Sequence, residues 1–322
     1  MPIRPASLVA AAAALLLTAG CGFAQAAVGL QAPEPPVPSS SRYVLSARPT
    51  ALQSQGCTAG KQAVSTHLSS GLYILDFGAP DDTILGGFQY GTLNFDLNFD
   101  ALPAVETAVE AWINGFKHCS ASYWKIWVHP HVYVGVGTSN YEGQTNYADG
   151  AAWAAMVNGL NLWSRRHGIS SKFTAVGASD MEEGWNSPAN TIAWVKGYNS
   201  IGKASLGSYL YDYGDDANGL SPGNGWTAED VWYVANGAPL DYPIPEIYYT
   251  ADATQDWAPL SLWAYENEGR AIVFKGVITE HGANPSTLTP EQGWLALYQA
   301  LAANPHTAQA NIEFLTDVPE PS

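Results

Sequence analysis

The sequence predicts an α/β fold, an irregular (β/α)8 barrel of the TIM type with an N-terminal extension. Three observations carry that expectation. Short apolar runs of strand character alternate with helix-forming segments that bear one apolar stripe, the pattern of parallel βα units. About eight such runs occur between residues 71 and 318, the number a barrel needs. Most of them end in a polar side chain, and barrels keep their functional groups at the C-terminal ends of the strands. Helices are missing after the fourth and fifth runs, which makes the barrel irregular. A doubly wound open sheet is the alternative.

Residues 1–27 read as an export signal: Arg4, an apolar run ending at Leu17, then small residues. Two processing readings compete. Ala24-Gln25-Ala26 fits a cleavage site before Ala27, whereas the stretch from Leu17 to Cys21 resembles a bacterial lipobox with Cys21 as the lipidated residue. Either way the expected location is extracellular, periplasmic or at the cell surface. The apolar run is too short for a permanent transmembrane helix, and no later run is long enough. That leaves Cys57 and Cys119, an even pair, and one disulfide between them is expected in an oxidising compartment. Residues 28–41 are rich in Pro and Ser and read as a tether. Residues 42–70 show no clear pattern and are expected to pack around the outside. The barrel domain then spans 71–318, and 319–322 is a tail.

The first strand is predicted over 71–78, carrying Asp76 near its end. Residues 93–99 alternate strictly, with Leu93, Phe95, Leu97 and Phe99 against Asn94, Asp96 and Asn98. That pattern predicts a half-exposed strand in an insertion. Its Asn/Asp row lacks the glycine of an EF-type loop and reads as a solvated face rather than a calcium site. Asp100 opens a helix over 103–117, and a strand over 132–137 leads to Asn140. Asp149 starts a helix stopped by Gly168, with Trp153, Met156, Val157, Leu160 and Trp163 on one stripe. The strand over 173–178 runs into Asp180-Met181-Glu182, and a helix follows over 188–198. Further strands are predicted over 206–212, 231–236, 244–250, 271–279 and, less regular, 312–316. Helices are predicted over 255–268 and 290–303, the second opened by the capping box of Thr289 and Gln292.

Charge narrows the partners. Lys plus Arg number 13 against 29 Asp plus Glu, a net charge of −16. With no basic cluster, nucleic acid is excluded as a partner, and so is charge-driven binding to an anionic membrane. No G-x-S-x-G elbow, P-loop or dinucleotide fingerprint is present, and no cofactor is expected. His129-Pro130-His131 has the spacing of a metal motif. It precedes its strand, away from the functional rim, and lacks further His ligands, so no metal is expected.

The strand exits supply Asp76, Asn140, Asp180 with Glu182, Asp212, Asn236, Tyr248 with Thr250, and Glu280. On an extended backbone Asp180 and Glu182 share a face, roughly 6.5 Å apart at Cα. Two carboxylates that close split into one ionised and one protonated group. Acid/base work on a glycosidic bond uses that division. Trp185, Trp226 and Trp257 lie in adjoining loops, where they either stack on sugar rings or simply pack.

Asp76 on the first strand, Asp180-Met181-Glu182 at the end of a central strand, and the aromatic-rich rim resemble exported TIM-barrel glycoside hydrolases. The family 25 lysozymes are the nearest in outline. The resemblance implies Glu182 as general acid, with Asp180 stabilising positive charge or positioning substrate and Asp76 assisting. Glu280 is the alternative partner carboxylate. Asn140, Asp212, Tyr248, Trp185, Trp226 and Trp257 would contact the substrate, a cell-wall or extracellular polysaccharide such as peptidoglycan. Retaining and inverting outcomes both stay open. The chain departs from the family in its long insertions and in the segment after Ala271. A non-catalytic glycan-binding or structural surface protein on the same scaffold is the competing reading. No signal in the sequence fixes an oligomeric state.

Overall fold

A computed structural model describes residues 33–83, 88–121, 131–141, 145–214 and 219–319. The export signal, Cys21, His129 and residues 320–322 lie outside them. Among the described residues no helix is long and apolar enough to cross a membrane.

The fold is mixed α/β. The parallel strands are β1 (Ser39–Ser40), β2 (Arg42–Tyr43), β3 (Ser70–Asp76), β7 (His131–Ser139), β8 (Phe173–Asp180), β9 (Leu210–Asp212), β10 (Asp241–Pro243), β11 (Gly276–Thr279) and β12 (Phe314–Asp317). Strand pairing divides them between a six-stranded sheet, in the order β10-β9-β8-β7-β3-β2, and a three-stranded sheet, β1-β12-β11. All these pairs are parallel.

Two seams join the sheets. At one, residues 39–43 form one run whose first half pairs with β12 and second half with β3. Serine hydroxyls stitch this seam. Ser39 Oγ donates to the carbonyls of Leu72 and Leu315, and Ser41 Oγ bonds Thr316 Oγ1 at 2.7 Å while accepting from Ile74 N–H at 2.9 Å. The end of the predicted tether is therefore sheet. Its short polar side chains fit because the Ser39 and Ser41 hydroxyls find partners in neighbouring strands. At the other seam Glu246 and Ile278 form a parallel bridge, flanked by Lys275 N–H to Pro243 O at 3.0 Å and Ile278 N–H to Pro245 O at 3.1 Å.

Alternation along each strand separates two cores. Leu72, Ile74, Val176, Ala178, Tyr211, Tyr213, Ile244, Ile278, Phe314 and Val318 pack together on one side. Tyr73, Leu75, Val132, Val134, Val136, Phe173 and Ala175 face the helices. Those helices are α1 (Pro49–Ser65), α2 (Leu102–Cys119), α3 (Tyr147–Arg166), α4 (Pro188–Ile201), α5 (Ala228–Trp232), α6 (Ala258–Glu268) and α7 (Pro290–Ala302). The predicted stripe of α3 is buried, and Trp153 Nε1 donates to Val136 O at 3.0 Å. The capping box of α7 forms between Thr289 and Gln292.

Several boundaries differ from expectation. Residues 42–70, patternless in sequence, hold β2 and the 17-residue α1. The alternating run 93–99 is a turn rather than a strand, linking β5 (Gln89–Leu93) to β6 (Phe99–Ala101) in an antiparallel sheet with β4 (Ala79–Thr83). Asn94 closes that turn: its Oδ1 accepts from Asp96 N–H and Asn98 N–H, and its Nδ2 donates to Asp100. Residues 231–236 are helical, α5 continuing into a π-helical turn, with Val231, Val234 and Ala235 buried at helical spacing. The strands expected over 206–212 and 271–279 are only β9 and β11.

Glycines let the helices pair at backbone contact. A Cβ on Gly56 of α1 would lie 2.0 Å from Trp112 O of α2, and one on Gly150 of α3 would lie 2.0 Å from Trp194 O of α4. Gly115 and Gly197 repeat the contact from the opposite helix of each pair. Gly150→Val must push α3 from α4, at a cost of about 3 kcal/mol. A thermal melt should show the midpoint lowered by roughly 6–12 °C. An unchanged midpoint would mean that the helix pair yields freely.

Candidate active site

Four parallel runs continue their inward-facing row into a carboxylate. Asp76 follows Leu72 and Ile74, Asp180 follows Val176 and Ala178, Glu246 follows Ile244, and Glu280 follows Ile278. The two-residue period places all four on the side of that row, at the C-terminal ends of their runs. Tyr43, at the end of β2, stands among them. Burial, then the charges of Asp180, Asp76, Glu246 and Glu280, push its hydroxyl pKa up.

A cleft of about 370 Å³ opens above. Asp76, Ser139, Asp180 and Tyr43 line its base, the loop residues Leu93, Phe95 and Leu97 one side, and Tyr141 and Trp185 another. The rim is apolar yet wet: Leu97 is 78% exposed, Tyr141 49% and Trp185 36%. Tyr141 and Trp185 meet edge to face at 5.6 Å, and Tyr43 and Phe95 at 5.0 Å. Exposed aromatics around a polar base are the furniture of a ligand site.

The two acids at the base differ. Asp76 is 3% exposed, and its Oδ1 accepts from Gly78 N–H at 2.8 Å. Burial raises its pKa to about 6, against the opposing pull of the Gly78 amide and the Tyr213 hydroxyl. Asp180 is 5% exposed, and its Oδ1 is buried with no hydrogen-bond partner among the described residues. Burial first, then the charges of Glu246, Asp76, Glu182 and Asp212, hold its pKa well above the carboxylate range. Glu246 is itself buried and hydrogen-bonded to the Tyr248 hydroxyl. Glu280 Oε1 accepts from Asn284 Nδ2 at 3.1 Å.

The other sequence candidates lie elsewhere. β8 ends at Asp180, and Asn140 then pins the backbone of Glu182, accepting from its N–H at 2.9 Å and donating to its carbonyl at 3.0 Å. Glu182 is therefore off the cleft lining, and Asn140 is a buried clamp rather than a substrate contact. Asp212 alternates away from Tyr211 and Tyr213, to the helix side of its strand. Asn236 is buried in the π-helical turn, where its Nδ2 donates to Asp241 O. Trp226 is buried with Nε1 donating to Asn186 O, and Trp257 is buried against Phe274. Of the three tryptophans, Trp185 alone lines the cleft. Tyr248 hydrogen-bonds Glu246 and feels the charge of Asp180 but does not line the cleft, and Thr250 lies beyond the strand exit. His131 sits at the start of β7, its ring nitrogens on Ser171 O and Thr174 Oγ1. Cys57 and Cys119 form the expected disulfide.

Sequence reasoning missed Glu246, Tyr43 and Tyr213. Glu246 carried a readable signal, the step Ile244-Pro245-Glu246 at period two, masked by prolines on both sides of Ile244.

No protein-family model matches the sequence, and no curated protein matches it. Among solved structures, the fold is similar to the apo homocysteine methyltransferase MmuM from Escherichia coli. That match has a TM-score of 0.46 and 8% identity, over 88% of this chain and 92% of that one. A second similar structure is the cycloisomaltooligosaccharide glucanotransferase of Paenibacillus sp. complexed with cycloisomaltoheptaose. It gives a TM-score of 0.35 and 11% identity over 75% of this chain and 38% of that one. At such scores neither carries an argument about chemistry, and no matching family supports the likeness to family 25 lysozymes.

Proposed function

We propose that the chain is an exported glycoside hydrolase-like enzyme on an irregular (β/α)8 barrel, cleaving a cell-wall or extracellular polysaccharide. The barrel reading is supported by the two seams. Six strands and three strands, with residues 39–43 counted as one run, make eight parallel runs in ring order. Export is supported by the character of residues 1–27 and by the disulfide, a bond that persists in oxidising compartments.

The observation that carries the chemistry is Asp180 Oδ1, buried and partnerless at the base of an aromatic-rimmed cleft that Asp76 also lines. Asp180, whose pKa burial and neighbouring charge hold well above the carboxylate range, is the general acid. Its proton passes to the glycosidic oxygen as the C–O bond breaks. Asp76, ionised above about pH 6, faces the developing positive charge as the partner carboxylate. Water then adds its hydroxyl to the anomeric carbon, and its proton restores the acid. Burial first, then the charge of Glu246, favours the proton on Asp180, whereas the sequence reading made Glu182 the acid and Asp180 its neighbour. Trp185, Tyr141 and Phe95 offer ring faces to the sugars.

Reducing-end release from peptidoglycan and a polysaccharide panel tests this directly. Activity should climb as pH rises through about 6, where Asp76 ionises, and fall again at higher pH as Asp180 loses its proton. Retention of a polysaccharide with no release at any pH would favour the glycan-binding reading, which the same rim supports.

A further inference from the structure

We propose that the cleft selects a cationic saccharide, a chain of amino sugars whose nitrogens are free rather than acylated. This rests on the glycosidase reading and names its substrate class. A two-carboxylate mechanism needs one acid and one partner. Here Asp76 and Asp180 line the cleft, and the charges of Glu246 and Glu280 also act on Tyr43, which lines it with them. Glu246 and Glu280 thus add negative charge beyond the pair that acts on the bond, and no Lys, Arg or His lines the cleft among the described residues. The basic side chains nearest in sequence to Tyr43, Arg42 and Arg48, line a separate 220 Å³ pocket that also borders Tyr43.

A low-dielectric cleft walled by one sign of charge focuses its field and concentrates counter-ions. A uronic acid or a phosphorylated sugar is repelled from such a cleft, and a neutral chain gains nothing from it. A metal ion is not the natural counter-charge, because among the described residues no three His, Cys, Asp or Glu side chains are placed to hold one. Asp180 Oδ1, buried and without a hydrogen-bond partner among the described residues, is an acceptor that a ligand donor can satisfy. An ammonium group brings three donors and a positive charge.

The test measures binding and cleavage of glucosamine and galactosamine hexasaccharides beside their N-acetylated counterparts, using the processed chain at about pH 7, where Asp76 is ionised and such amines still largely keep their proton. Titration calorimetry should show the free-amine oligosaccharides binding at least about tenfold more tightly, with most of that advantage lost between roughly 0.02 and 0.2 M salt. Glu280→Gln should shrink the advantage further. Equal or tighter binding of the acetylated oligosaccharides overturns the proposal. Indiscriminate cleavage of both forms also overturns it while leaving the glycosidase reading intact. Tight, salt-sensitive binding of the amine forms with no cleavage upholds the charge selection and overturns the glycosidase reading. Binding of neither form overturns the amine selection and leaves the glycosidase reading to the polysaccharide panel.

Discussion

Asp180→Asn is expected to remove about 10²–10⁴-fold of the polysaccharide-cleaving rate, the usual contribution of a positioned general acid. Asparagine matches aspartic acid in shape but cannot release a proton to a leaving oxygen. Binding of the intact polysaccharide should survive, because Trp185, Tyr141 and Phe95 are untouched. Stability gives a second, opposite signature. In the folded protein burial and like charge raise the pKa of Asp180, and burial raises Asp76 to about 6 from 3.8. Between about pH 3.8 and 6 the folded chain therefore holds a proton at Asp76 that the unfolded chain has already released. Stability falls as pH rises across that window, and Asp180 extends the fall to higher pH. Replacing Asp180 by a neutral amide removes its share of that loss, so the variant should melt at or above the wild-type temperature at neutral pH while turning over far more slowly. Sites that trade stability for chemistry behave this way. Glu182→Gln should change the rate only a few fold, because Glu182 acts on Asp180 through space. Full activity in Asp180→Asn, with collapse in Glu182→Gln, would return the acid to the position the sequence suggested.

The reason sequence reasoning favoured Glu182 is physical. Period-two alternation was the correct rule for Asp76 and Asp180, since both extend an apolar inward row. It was carried two residues too far, past the point where Asn140 takes hold of the Glu182 backbone and ends the strand. A clamp between residues 42 positions apart leaves no trace in local pattern. The same limit hid β10. Pro243 and Pro245 break the appearance of a strand, so the run was read as 244–250 and its exit set at Tyr248 instead of Glu246. Residues 39–43 were hidden for the opposite reason. A Ser-rich segment looks unstructured until its hydroxyls are seen to bond β3 and β12. What was legible were the long apolar periods: α2, α3, α4, α7, β3, β7 and β8 all fall close to where burial demands them. The wall residues Phe95 and Leu97 were noticed, but as one face of a strand. Their true setting, a turn closed by Asn94, depends on side-chain to backbone bonds that alternation does not report.

Replacing Cys57 and Cys119 together by alanine should cost about 4 kcal/mol, the loop-closure entropy released when a cross-link of this span is opened. The two cysteines are 62 residues apart, and the chain between them contains β3 with Asp76, the antiparallel β4–β6 sheet with the cleft-wall loop, and nearly all of α2. The bond therefore closes the segment that carries one catalytic candidate and one wall of the cleft. It also fastens α1 to α2 beside the Gly56–Trp112 contact, where backbone meets backbone and a small separation forfeits the whole packing surface. For a domain of this size the loss corresponds to a melting temperature lower by roughly 8–16 °C. Reductant provides the control: it should bring the wild type down to the double variant and leave the variant unmoved. Below its melting point the variant should still cleave, because no cysteine lines the cleft. Its KM should rise before its kcat falls, since the wall that holds the sugar loosens while Asp180, on β8, lies outside the closed segment. A kcat that falls first, with KM unchanged, would mean that the disulfide positions Asp76 itself, and that the partner carboxylate depends on the α1–α2 clasp for its aim.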